Sequence, residues 1–163
     1  MEVGQFKIGA IIQARLGSTR FPNKALMSLP LGGNETILSQ VINGVKKAPR
    51  VSKIIVASSI SLVNDDLEKH VSDFNIDCYR GDENDVLSRF YEIVKKHKFD
   101  FVIRFTADNP IIDESLLEEF IANFIAKDLD YSCSQNLPLG CNFEMMKAEQ
   151  IIEAFENTEN LYD

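Results

Sequence analysis

The stretch QARLGSTRFPNK, residues 13–24, sets Arg15, Arg20 and Lys24 around a Gly17-Ser18-Thr19 turn. Two guanidinium forks and one compact ammonium suit phosphate oxygens. Gly17 and Ser18 let the chain bend so that backbone N–H groups converge on the same anion. The spacing matches neither GxxxxGKS/T nor GxGxxG, so the common nucleotide fingerprints do not apply. Taken alone, the stretch also fits an exposed Arg-rich turn broken by Pro22. Its place after the first apolar run, residues 7–14, favours a triphosphate cradle, because open parallel α/β sheets bind ligands at the carboxyl ends of their strands.

Three further stretches carry candidate chemistry. In RFTADNPIID (104–113), Asp108 directly follows an apolar run, where a carboxylate facing a phosphate loop is well placed to hold Mg²⁺. Asp-Asn-Pro is equally good turn chemistry, and Asp113 reads as a helix N-cap. In YRGDENDVLSRFYEI (79–93), Asp82 or Asp85 can cap the next helix, whereas Arg80, Gly81 and Asp82 would alternatively run along a base or ribose. Arg89 and Phe90 read as helix packing and surface. LPLGCNFEM (137–145) is a loop by its Pro and Gly, with Gly140 and a sugar-facing Glu144 as the functional alternative.

The elements that must position these residues alternate. Strands are expected at 7–14, 53–59, 77–80, 99–107 and 130–134, with another at 143–146. Helices are expected at 36–48, 64–74, 85–98, 113–128 and 148–157. Strands separated by helices of this length predict crossover units, a largely parallel sheet and helices on both faces, in one α/β domain spanning 1–163.

The totals exclude several classes. With 17 Lys+Arg against 25 Asp+Glu, a net charge of -8 and a pI near 4.8 argue against a general nucleic-acid binder or an anionic-membrane binder. A local cation cluster still attracts a small anion. Cys78, Cys133 and Cys141 show no CxxC spacing and predict reduced thiols in a cytoplasmic protein. No secretory leader is read at the N-terminus, and no apolar run is long enough to span a bilayer. His70 and His97 lie among charged residues and are expected on solvated helix faces.

Taken together, QARLGSTRFPNKAL, VASS, YRGDENDVLSRF, RFTADNPIID and PLGCNFE resemble, in this order, the cytidylyltransferases of the spore coat polysaccharide biosynthesis protein F type. These are relatives of the acylneuraminate and 3-deoxy-manno-octulosonate cytidylyltransferases. The resemblance runs from Ile8 to about Glu144. It implies a Rossmann-like three-layer α/β/α sandwich of the nucleotide-diphospho-sugar transferase kind. It further implies a Mg²⁺-dependent coupling of CTP to a sugar or sugar phosphate, and pairing of two copies.

Carried over residue by residue, it implies that Ala14, Arg15, Gly17, Ser18, Arg20 and Lys24 meet the nucleotide. Ala57, Ser58, Arg80 and Gly81 fall at the base, Asp108 at the metal, and Gly140 and Glu144 towards the sugar. Arg15, Lys24 and Asp108 are the implied catalytic set. Two departures stand out. Similar sequences continue beyond this endpoint, so the chain is expected to lack the C-terminal part of the family domain. Asn142 also stands where an Asp is common, which leaves a second metal carboxylate unassigned.

Overall fold

The computed structural model describes residues 6–18 and 21–158. The elements run β1 (Ile8–Gln13), α1 (Ile37–Val45), β2 (Val51–Ser59), α2 (Asp65–Ser72), β3 (Asp77–Gly81), α3 (Val86–His97), β4 (Phe101–Thr106), α4 (Glu114–Ala126), β5 (Tyr131–Cys133), β6 (Glu144–Lys147) and α5 (Ala148–Asn157). Each element expected from the sequence is present, with ends differing by a few residues, as fraying ends do.

One sheet of order β3-β2-β1-β4-β6-β5 carries all six strands. β3, β2, β1 and β4 are mutually parallel. The edge is not: β6 pairs antiparallel with both β4 and β5. The sheet is therefore mixed rather than wholly parallel. The reason is local, since β5 and β6 are joined by loop 134–143 instead of a helix, and a strand that turns straight back can only pair antiparallel.

β1 is central and buried on both faces, which explains its unbroken apolar run. Ala10 and Ile12 pack towards α1, α2 and α4, through Leu38, Val41, Ile42, Leu67, Val71, Leu117, Ile121 and Phe124. Ile11 packs towards α3 and α5, through Phe90, Ile93, Val94 and Ile151. Fully burying four α1 side chains alone contributes on the order of 10 kcal/mol before entropy is counted. Gly9 allows the closest approach on the α3 side, where an added Cβ would lie 2.4 Å from the Phe99 ring.

Capping follows the sequence closely. Thr36 accepts from Ser39 N–H, Asp85 from Ser88 N–H and Asp113 from Leu116 N–H. His70 corrects its expectation. Its Nε2 lies 2.9 Å from both Thr36 Oγ1 and Ser39 Oγ, so the ring joins α2 to the start of α1 rather than facing only solvent. His97 stacks on Phe99, and burial with the nearby lysines pushes its pKa down. Cys78, Cys133 and Cys141 are free thiols. No helix among the described residues is long and apolar enough to cross a membrane.

Candidate nucleotide site at the carboxyl ends of β1 and β4

Where β1 ends, buried Ala14 and Leu16 alternate with exposed Arg15, so the packing itself turns Arg15 outward. The loop that follows is tied at its base. Leu16 N–H donates to Asn64 Oδ1 at 2.8 Å, and Leu16 O accepts from Asn23 N–H at 3.1 Å. Asn64 is fully buried and its Nδ2 donates to Ser59 Oγ at 2.7 Å. At the sequence level Asn64 reads as a helix-starting residue. Its side chain makes no cap bond and instead holds the phosphate-type loop to the end of β2.

Ala14, Arg15, Ser18, Lys24 and Asp108 line one cavity of about 250 Å³, together with Gln13, Arg104 and Thr106. Lys24 Nζ stands 3.3 Å from Asp108 Oδ2, with both side chains about half exposed. Burial pushes the Asp108 carboxyl up, but hydrogen bonds from Thr106 and Lys24 more than offset it, so it lies below the ordinary carboxylate range. Gly17 lies in the same loop, with Val63 and Glu83 about 3.6–3.7 Å from where a Cβ would stand. Arg20 lies outside the described residues.

The remaining expected residues are placed differently. Ala57 and Ser58 have no exposed surface, in side chain or backbone, so neither offers a ligand contact in this structure. Arg80 is committed elsewhere: Nη1 pairs with Asp65 and Glu68 at 2.8 Å, and Nε and Nη2 donate to the carbonyls of Ser59, Ile60 and Ser61. Gly81 packs on Arg89, whose Cγ would be 2.8 Å from an added Cβ. Gly140 has φ +94°, a left-handed backbone that favours glycine, and its carbonyl accepts from Ile111 N–H. None of these five positions lines the cavity. Glu144 lines a neighbouring cavity of about 210 Å³ with Arg104, Thr106, Asn109, Cys133, Ser134, Asn142 and Phe143.

Arg89 also departs from its expectation as helix packing and surface. It is 2% exposed and donates to Asp82 O at 2.8 Å, and its Nε has no partner. Burial and the charge of Arg15 both push its pKa down. It props loop 82–84 beside the Gly17 turn. Sequence reasoning also passed over Gln13, Arg104 and Thr106. A charged residue inside the buried run FVIRFT was the available signal for Arg104, because an unpaired charge is not left inside a sheet.

For a divalent cation, the donor set is narrow. Among the described residues no group of three or more His, Cys, Asp or Glu converges. One carboxylate beside a hydroxyl fits a hard cation that takes most of its ligands from substrate phosphates and water. It does not fit an all-protein metal cage.

With this geometry, the cytidylyltransferase family model matches residues 9–163. The chain belongs to that family. It is 35% identical over 147 residues to the spore coat polysaccharide biosynthesis protein SpsF of Bacillus subtilis, covering 88% of this chain and 60% of that protein. A solved cytidylyltransferase from Leptospira borgpetersenii superposes with a TM-score of 0.86 at 23% identity, covering 94% of this chain and 66% of the other. The CMP:2-keto-3-deoxy-manno-octonic acid synthetase solved with CTP superposes at 0.75 with 16% identity, covering 95% and 80%. These two likenesses support the three-layer Rossmann-like fold. The chain spans 60% and 63% of the length of two curated relatives it matches.

Proposed function

We propose that this cytidylyltransferase chain binds CTP in the β1–β4 cavity and, as part of the working enzyme, transfers its cytidylyl group to a sugar or sugar phosphate, releasing pyrophosphate. The observation that carries the reading is the convergence of Arg15, Ser18 and Lys24 with Asp108 around one cavity. Family membership and the CTP bound to the octonic acid synthetase neighbour support it. The acceptor is a sugar by analogy with the polysaccharide and octonic acid relatives. Three free thiols support a reducing, cytoplasmic setting.

In this reaction an acceptor oxygen attacks the α-phosphorus in line while the bond to the pyrophosphate oxygen breaks. Arg15 and Lys24 bind the β- and γ-phosphates and stabilise the charge that grows on the leaving pyrophosphate. Ser18 and the loop amides orient the triphosphate, and Thr106 holds the Asp108 carboxylate in place. Asp108 would hold Mg²⁺, which when bound neutralises phosphate charge. Until nucleotide arrives, Lys24 and Asp108 neutralise each other.

Pyrophosphate release from CTP and Mg²⁺, screened over a panel of sugar acids and sugar phosphates, tests the proposal. Losing a stabilising group of this kind costs about 2.7–4 kcal/mol in the barrier, so Asp108→Ala should slow release by roughly a hundredfold or more with the fold intact. Wild-type rates in that variant would contradict the metal assignment.

A further inference from the structure

Gln13, Arg104 and Glu144 form a polar row across β1, β4 and β6, on the sheet face that α3 and α5 cover lower down. Arg104 Nε and Nη2 both donate to Gln13 Oε1, at 3.2 and 3.0 Å. Arg104 Nη1 reaches both Glu144 carboxylate oxygens, at 2.8 and 3.0 Å. A guanidinium can only donate. It therefore decides which end of the Gln13 amide faces it: the carbonyl turns in, and Nε2 with its two protons turns away. Reversing the amide would set donor against donor on two nitrogens at once. Gln13 Nε2 has no hydrogen-bond partner among the described residues.

The row borders two cavities that share Arg104 and Thr106, and its Arg104–Glu144 end also borders a third of about 660 Å³. Gln13 and Arg104 line the one that holds Arg15, Lys24 and Asp108; Arg104 and Glu144 line its neighbour. One cation thus orients the Gln13 amide at the first cavity and holds the Glu144 carboxylate at the second.

We propose that Arg104 is a positioning residue that fixes Gln13 Nε2 as a donor to an oxygen of the bound nucleoside triphosphate, and fixes Glu144 as an acceptor for hydroxyls of the second substrate. This rests on the nucleotidyltransferase reading and adds a nucleotide-binding residue to it. Nucleotide phosphates, ribose and base carbonyl all offer acceptor oxygens, and a donor-only amide edge is complementary to them. Sugar hydroxyls each bring a proton, which a carboxylate held by one cation still has lone pairs to accept.

The test is calorimetric titration of CTP with Mg²⁺ into wild type, Gln13→Glu, Gln13→Met and Glu144→Gln, with thermal midpoints measured in parallel. Gln13→Glu keeps an acceptor for Arg104, so its midpoint should stay at or above wild type while CTP affinity falls about tenfold or more. Gln13→Met removes the donor without adding charge and should lose about fivefold or more. Glu144→Gln should bind CTP as wild type does. Wild-type affinity in Gln13→Met would reduce the Gln13→Glu effect to charge repulsion and overturn the donor role. Losses that merely track a falling midpoint would make the row structural and overturn it too. A large affinity loss in Glu144→Gln would overturn the division between cavities. A wild-type chain that binds no nucleoside triphosphate would instead take down the nucleotide reading itself, and this inference with it.

Discussion

The two sides of the sheet are built differently around the same strand, β4. On the parallel side, the loops after β1, β2 and β3 are held by polar anchors: buried Asn64 on Leu16 N–H, buried Arg89 on Asp82 O, and half-buried Arg80 across the carbonyls of residues 59–61. On the antiparallel side, loop 134–143 is held by aromatic packing as well as hydrogen bonds: Phe143 is edge-on to Phe120 and tilted against Phe105, its N–H donates to Ser134 Oγ at 2.9 Å, and Asn109 Nδ2 donates to Asn142 O at 3.0 Å. Polar anchors fix backbone N–H and C=O directions, which is what binding a phosphate chain needs. The contrast points to a nucleotide side whose loops are tied by polar side chains, beside an acceptor side that adds ring packing and whose Glu144 carboxylate is held by Arg104.

Substitutions can separate the two sides. The largest effect is expected for Phe143→Ala, since the ring is 4% exposed and its loss should cost about 3 kcal/mol in denaturant unfolding. CTP affinity of the folded variant should hardly change; its loss would mean that the sides are not separable. Asn64→Ala should cost less, about 2 kcal/mol, because it leaves Leu16 N–H buried without a partner. Here CTP affinity should fall as well, by roughly tenfold if the loop relaxes, and unchanged affinity would show that the loop forms without its tie.

Arg80→Met should lower the thermal midpoint by a few degrees and leave nucleotide affinity intact. A selective loss of cytidine binding would instead return Arg80 to the base. The smallest effect is acid softening of the parallel side. The Lys53 hydrogen bond holds Asp77, and the Asp85 and Asn84 amides hold Asp82, below the ordinary carboxylate range. Both depressed groups add stability that is present above the unfolded-chain value near 4 and is lost as pH falls through their folded values. Hydrogen exchange at pH 3–4 should therefore rise around β3 before it rises around β6.

Much of this was legible in the sequence because it is local. Apolar runs, helical periods and the caps Asp85 and Asp113 each depend on neighbours a few residues away, and the structure bears them out. The grouping of Arg15, Ser18, Lys24 and Asp108 was legible because loops at the carboxyl ends of adjacent parallel strands must meet. Arg80, His70 and Asn64 were not, because their roles are set by partners up to 48 residues away. The antiparallel edge was missed for a related reason: strand direction depends on whether a connection crosses the sheet, and strand composition does not record that. Arg104 and Glu144 meet only because β6 lies beside β4, a neighbour relation invisible before the topology is known.

The central claim is that the β1–β4 cavity is a CTP site. Calorimetric titration of the purified chain with CTP, UTP, GTP and ATP, each with and without Mg²⁺, tests it most directly. The proposed site predicts saturable binding that favours CTP, is strengthened by Mg²⁺ and is weakened by Asp108→Ala only when Mg²⁺ is present. Equal affinity for all four nucleotides with no response to Mg²⁺, or no binding at all, would contradict it.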